Sequence, residues 1–274
     1  MFSLSSFCNC GISQTLRTPV SASYLGLGAY STQHVDVFSI TGNVASTAQI
    51  KAAQAGVYGE KRYLLAATNM YSGIVAVPTH KGNFCFQADY FGYKNYNETQ
   101  MAFGYARGVG SKVDVGVKFN YYSFKIPVYG GASAFSFEIG AIAHLTEKLH
   151  AGIDVYNPVG GKFSKGEDEK LNSVYKFGLG YDASEKFFIS CEILKIENQP
   201  VNVNAGFMYN FLQHFFVRAG VTTANSIGYA GAGISWKNFR LDVSSSYHPQ
   251  LGLSPGVLLI VNFKNKKIDD PEIL

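Results

Sequence analysis

The stretch Lys112-Val-Asp-Val-Gly-Val-Lys-Phe-Asn-Tyr-Tyr122 decides how this chain is read. Successive side chains of an extended strand point to opposite faces. One face of this segment carries Val113, Val115, Val117, Phe119 and Tyr121, and the other carries Asp114, Gly116, Lys118, Asn120 and Tyr122. A period of two in hydropathy, sustained this long, predicts a strand with two chemically different sides.

Moving outward, the same alternation continues from Gln54 to Phe263. Phe135, Phe137, Ile139 and Ala141 oppose Ser136, Glu138 and Gly140; Tyr175, Phe177, Leu179 and Tyr181 oppose Lys176, Gly178, Gly180 and Asp182. The pattern predicts about fourteen strands, near 54–60, 64–77, 82–93, 97–107, 111–123, 131–145, 148–157, 171–182, 186–196, 200–211, 214–222, 226–236, 238–247 and 253–263. Most have at least the roughly 9–11 residues that a tilted strand needs to cross a bilayer. The links between them also alternate. Tight ones, such as Gly110-Ser111, Thr146-Glu147-Lys148 and Lys237-Asn238, are interleaved with longer ones at 124–131, 157–171 and 247–252. Short turns at one rim and longer loops at the other are the asymmetry of an outer-membrane barrel.

The chemistry of the second face separates a membrane barrel from a soluble sheet protein. A soluble sandwich turns a Lys-, Glu- and Thr-rich face to water. Here that face is Gly, Asn and Ser with isolated charges of both signs: Asp89, Asp114, Lys118, Glu138, Asp154, Lys176, Glu192, Arg218, Arg240 and Asp242. A nearly balanced set suits a narrow, cross-linked lumen. The fold expected is therefore all-β, an up-and-down antiparallel transmembrane β-barrel in the bacterial outer membrane, with a soluble all-β structural protein as the alternative.

Composition agrees. Charged residues make up 15% of the 274 residues, against roughly a quarter in ordinary soluble domains. Aromatics reach 15%, and they gather near segment ends, where interfacial girdles lie. No run approaches the roughly 18 apolar residues of a membrane helix. The net charge of +4 is spread along the chain with no basic face, so nucleic acid is not expected as a partner.

The chain ahead of the first strand reads differently. Residues 1–20 form a weakly signal-like or disordered arm, 21–53 a hatch segment, 54–263 the barrel and 264–274 a polar tail. Asn43 followed by Val44-Ala-Ser-Thr-Ala-Gln-Ile-Lys-Ala-Ala53 offers a cap and then an Ala-rich helical run, short enough to fold into the lumen as a plug. The hatch candidates are Asp36, Asn43 and Gln49. Asp114, Lys118, Glu138, Arg218, Arg240 and Asp242 form the lumenal charge network that would hold hatch to wall.

Patterns of catalysis and metal binding are missing from the sequence. Gly252-Leu-Ser254-Pro-Gly256 has the spacing of a hydrolase elbow, but a Pro and a strand follow the serine in place of a helix. The six His form no H-x-H or H-E-x-x-H pair, and the four Cys form no zinc or disulfide pattern. No catalytic residue, metal or cofactor is assigned.

Gly26-Leu-Gly28-Ala-Tyr, Asp36-Val-Phe-Ser39 and Asn43-Val-Ala-Ser-Thr-Ala48, leading directly into a fourteen-strand pattern, resemble the FadL superfamily of outer-membrane barrels. Gly82-Asn-Phe-Cys-Phe-Gln-Ala-Asp-Tyr-Phe-Gly92 and Leu149-His-Ala-Gly-Ile-Asp-Val-Tyr-Asn-Pro158 resemble its PorV-like Bacteroidetes branch. The resemblance spans roughly residues 20–263 and implies fourteen strands and an N-terminal hatch. It implies one of two activities: service to type IX secretion through a translocon or secreted cargo partner, or passage of hydrophobic small molecules through a lateral opening. The chain departs from the family in its short loops, and its last strand continues past Phe263. A secretion accessory is the first expectation. Passive transport of hydrophobic small molecules, gated by residues 26–53, is the alternative, and a purely structural barrel is the third reading.

Overall fold

The computed structural model describes residues 16, 26–127, 130–161, 171–211 and 214–263. Apart from Leu16, the expected N-terminal arm lies outside the described residues, as does the polar tail.

Fourteen strands form: β1 Gln54–Lys61, β2 Asn69–Thr79, β3 Gly82–Tyr93, β4 Tyr96–Val109, β5 Val113–Ile126, β6 Gly130–His144, β7 Leu149–Tyr156, β8 Val174–Ser184, β9 Phe187–Ile196, β10 Val201–Asn210, β11 Phe215–Thr222, β12 Ile227–Trp236, β13 Phe239–His248 and β14 Gly252–Asn262. Each pairs antiparallel with its neighbours in sequence, and β1 pairs with β14 through Gln54↔Asn262 to Glu60↔Gly256, so the sheet closes on itself. Closure removes every sheet edge and satisfies the backbone without water, the condition for crossing a bilayer with strands.

The burial pattern is inverted relative to a soluble protein. Large apolar side chains face outward, with Phe119 66% and Phe135 76% exposed, while Asp154 and Asp182 are 0% exposed inside. This inversion makes the molecule an outer-membrane barrel, because its outer surface can be solvated only by hydrocarbon. At the rim of tight turns the outward aromatics meet in clusters, Phe84 with Phe103 and Tyr105, and Phe187 with Phe207 and Tyr209. Trp236 is 63% exposed at the same rim, which also holds the start of β1 and the end of β14 and is therefore the periplasmic one.

Three expectations are corrected. The second strand starts at Asn69 instead of residue 64, because Tyr63 and Leu64 take positive φ and turn the chain into an outer-rim loop. The link at 124–131 is a hairpin in place of a longer loop, since Phe124↔Ala132 through Ile126↔Gly130 keep pairing. The Ala-rich run is a short 3-10 turn, Val44–Gln49, where a helix is expected. Its bonds run Ser46 N to Asn43 O and Ile50 N to Thr47 O. The Ser46 hydroxyl also donates to Asn43 O at 2.7 Å, and such local bonds, with β-branched Val44 and Thr47, work against a longer α-helix.

Candidate functional site: the plugged lumen

Residues 26–53 fill the barrel bore as three 3-10 turns, Gly26–Tyr30, Val37–Thr41 and Val44–Gln49, joined by short links. Val37, Phe38, Ile40 and Val44 pack with Tyr58, Ile74, Leu258 and Ile260 of the wall. Room for the plug comes from lumen-facing glycines. A Cβ built on Gly56 would meet Phe38, on Gly116 Ala45, on Gly140 Asn43, on Gly178 the Tyr30 ring and on Gly206 Leu27. Backbone can approach backbone only where the wall carries no side chain.

Asp36 and Asn43 each have two tasks. Asp36 Oδ1 accepts from Phe38 N at 2.8 Å as the cap of its turn, while Oδ2 faces Arg240 Nη1 at 3.0 Å and Arg218 Nη2 at 3.7 Å. Asn43 Oδ1 accepts from Ala45 N at 2.9 Å, and its Nδ2 donates to Ile153 O at 2.8 Å and Ala141 O at 3.3 Å. The caps thus fix the turns with one atom and dock them on the wall with the other. Gln49 Nε2 donates to Asp114 Oδ2 at 2.6 Å. In the reverse direction, Asn83 Nδ2 donates to Thr47 O and Ile50 O at 2.7 and 2.8 Å.

The lumenal charges fall into separate sectors. Arg218 and Arg240 surround Asp36 and Asp242, with Arg218 Nη2 3.2 Å from Asp242 Oδ2, and both guanidiniums lie over the Phe216 ring. Across the bore, Lys118 Nζ meets Glu138 Oε2 at 2.8 Å, a pair formed within the wall. Lys176, beside it, pairs with Asp154 at 3.3 Å and donates to Thr41 O and Gly42 O at 3.0 Å each. Within the hatch, burial lowers the His34 ring below its ordinary value, helped by Arg218 and opposed by Asp182 and a backbone bond at Ser184. His34 lies against Phe188 with ring centroids 5.6 Å apart.

A third sector joins Asp114 of the expected network to three residues that the sequence reading did not assign to it. At the periplasmic rim Asp114 Oδ2 meets His144 Nε2 at 2.9 Å, His144 Nδ1 meets His150 Nδ1 at 2.9 Å, and His150 Nε2 meets Asp182 Oδ2 at 3.1 Å. Ionised carboxylates only accept, so each Nε2 donates, and the Nδ1 to Nδ1 contact needs one further proton. The ends of the chain grip the hatch twice, at Gln49 through Asp114 and at Ser31 through Asp182, whose Oδ1 accepts from the Ser31 hydroxyl at 2.6 Å. The four residues lie on four different strands, so no linear motif unites them. The available signal is that each polar residue stands at the same rim in the predicted register. Tyr30, 0% exposed, donates its hydroxyl to Glu192 Oε2 at 2.7 Å and was likewise unforeseen.

On the outer side of the hatch lies a small cavity. Apolar walls from Leu16, Phe38, Tyr58, Met70, Tyr156 and Val174 meet polar groups from Ser72, Gln87, Asp89, Gln100, Lys118, Glu138 and Lys176. Ser72 Oγ and Gln87 Nε2 both donate to Asp89, at 2.5 and 2.6 Å. Among the described residues no group of three or more His, Cys, Asp or Glu is placed to hold a metal ion.

The closed wall of fourteen strands superposes on solved hydrocarbon channels. The fold is that of the FadL-type barrels. The CymD monoaromatic hydrocarbon channel superposes with a TM-score of 0.67 at 13% identity, covering 89% of this chain and 97% of that one. A Pseudomonas aeruginosa FadL homologue gives 0.62 at 12% identity, over 89% and 98%. The Pseudomonas putida toluene transporter TodX gives 0.60 at 10% identity, over 83% and 94%. No protein-family profile matches the chain, and no curated protein matches it. At these identities the likeness concerns the fold, and the PorV-like branch finds no support among these structures.

Proposed function

We propose that the protein is a passive outer-membrane channel for hydrophobic small molecules, opened by displacement of residues 26–53 within the bore. The observation that carries this reading is the plug itself. It occupies the lumen, yet it is fastened by discrete polar contacts in separate sectors, with a cavity of mixed apolar and polar lining on its outer side. In this reading Asp36, Asn43 and Gln49 are the hatch-side fasteners. On the wall, Arg218 and Arg240 hold Asp36 and are themselves held by Asp242, Asp114 holds Gln49, and Lys118 with Glu138 stiffens the wall beside the cavity. Solved barrels of the same fold are described as monoaromatic hydrocarbon channels and a toluene transporter, which supports transport over service to secretion. The secretion role, the first expectation from sequence, rests on the resemblance to the PorV-like branch alone.

The test is uptake of labelled toluene by cells whose only hydrocarbon channel is this protein. Expression of the intact chain should raise uptake, and fixing the hatch by a disulfide between residues of the plug and the wall should abolish the gain until reductant is added. Unchanged uptake in the presence of a folded barrel overturns the proposal.

A further inference from the structure

The hatch is tied to the periplasmic rim near its start and at its end, and the two ties run into each other through the wall. Asp182 Oδ1 accepts from the Ser31 hydroxyl at 2.6 Å, while its Oδ2 accepts from Thr32 N and from His150 Nε2, each at 3.1 Å. Asp114 Oδ2 accepts from Gln49 Nε2 at 2.6 Å and from His144 Nε2 at 2.9 Å. Between these carboxylates the two rings meet Nδ1 to Nδ1 at 2.9 Å. Each carboxylate thus holds a ring with the same oxygen that holds the hatch, and the rings are wedged between them. The side chains of His150 and Asp182 are 1% and 0% exposed, so water does not replace a bond lost there.

The Nδ1 contact is sensitive to the number of protons on the pair. Both Nε2 atoms donate to carboxylates, so two neutral rings would oppose lone pair to lone pair, and two fully protonated rings would oppose N–H to N–H. Only a single proton between the Nδ1 atoms makes a hydrogen bond. Rings in such contact titrate as a unit, in two steps. The charged and titratable groups facing the pair are Asp114 on β5, Asp182 on β8 and, across Asp182, His34 of the hatch. Lys51, Lys112, Glu147 and Lys148 lie in the adjoining links and turns and are exposed, where water and salt screen them.

We propose that His144 and His150 form a proton-keyed clasp on the hatch, closed while the pair shares one proton between its Nδ1 atoms and loosened when a second proton arrives or the shared one departs. Either change sets the rings against each other. Their separation shifts the oxygens of Asp114 and Asp182, and with them the hold on Gln49, Ser31 and Thr32. A single histidine gives a one-sided step with pH. The clasp gives a maximum. It concerns the hatch itself and stands whether or not the barrel carries small apolar molecules.

Amide exchange over residues 44–50 tests this, on the full-length protein in lipid nanodiscs from pH 5 to pH 9, with a metal chelator present and rates taken relative to the intrinsic rate at each pH. Protection should pass through a maximum and fall about fivefold on each side, the scale of one hydrogen bond. His34→Gln, which removes the titrating group of the hatch, should leave this profile in place, whereas His144→Asn should abolish the fall on the alkaline side. A flat profile, a fall on one side only, or an alkaline fall that survives His144→Asn overturns the proposal. If that variant fails to fold, proton NMR of the unaltered protein carrying isotope-labelled histidine decides. One strongly deshielded proton shared by the two Nδ1 atoms should be present near the maximum and absent on either side, and its absence at every pH overturns the clasp.

Discussion

Gly178 and Gly180 show how strictly single positions are set, because a Cβ on the first would fall within the Tyr30 ring and on the second against the Tyr30 carbonyl. Gly178→Ala should therefore displace the first hatch turn and destabilise the protein by about 1–3 kcal/mol. The outward-facing Gly73, whose Cβ would meet nothing within 4 Å, should accept Ala without loss. The temperature at which each variant loses its SDS-resistant band measures the difference. His34 gives a prediction of sign. Its ring is pushed below the ordinary value by burial, so its contribution to hatch stability is fully present above the unfolded value of about 6.5 and is lost as pH falls through the lower folded value. Protection of the amides across residues 29–39, measured relative to the intrinsic exchange rate at each pH, should fall on acidification from pH 7.5 to 5, and His34→Gln should flatten that dependence. The sequence marks both positions without explaining them. Gly178 is read only as one of the small residues on a lumenal face, and what it makes room for lies nearly 150 residues earlier in the chain.

The hatch is the element whose behaviour depends most on contacts distant in sequence. Asp36→Ala would take one of two carboxylates from Arg218 and Arg240, and removal of one partner from a buried ion cluster costs on the order of 3–5 kcal/mol. The barrel should remain closed while the plug loosens, so cells carrying the variant should become more sensitive to a bulky hydrophilic antibiotic that the intact protein excludes. Unaltered sensitivity would show that the other fasteners suffice. The strands were legible because the period of two is a local property, and the observed registers follow it. The plug was legible as an insertion into the lumen, but not in its conformation or in its grip on the rim. Short 3-10 turns leave no long periodic run, and Asp114, His144, His150 and Asp182 meet only because four registers place them at one height. Pairing across strands also explains the misread boundary near residue 64, where Leu64 and Leu65 are apolar but 57% and 54% exposed in a loop.

For the whole molecule, the decisive property is the apolar exterior around a polar bore. The purified protein should migrate anomalously on SDS gels until boiled, because a closed barrel of fourteen paired strands resists detergent. The single Trp236 stands on the outer surface at the periplasmic end of β12. Lipids brominated near the headgroup should quench its fluorescence more strongly than lipids brominated near the tail end, as expected for an interfacial anchor. The converse order would require a different placement of the barrel in the bilayer. The junction between plug and wall sets a limit on opening. The last hatch turn ends at Gln49 and β1 begins at Gln54, and Ala53 O is already held by Phe263 N at 2.8 Å. The segment that joins them is thus Ile50 to Ala53, which reaches at most about 14 Å when fully extended. A cork on so short a leash stays anchored at the periplasmic rim by its C-terminal end, so in the proposed channel it would tilt aside rather than leave the bore.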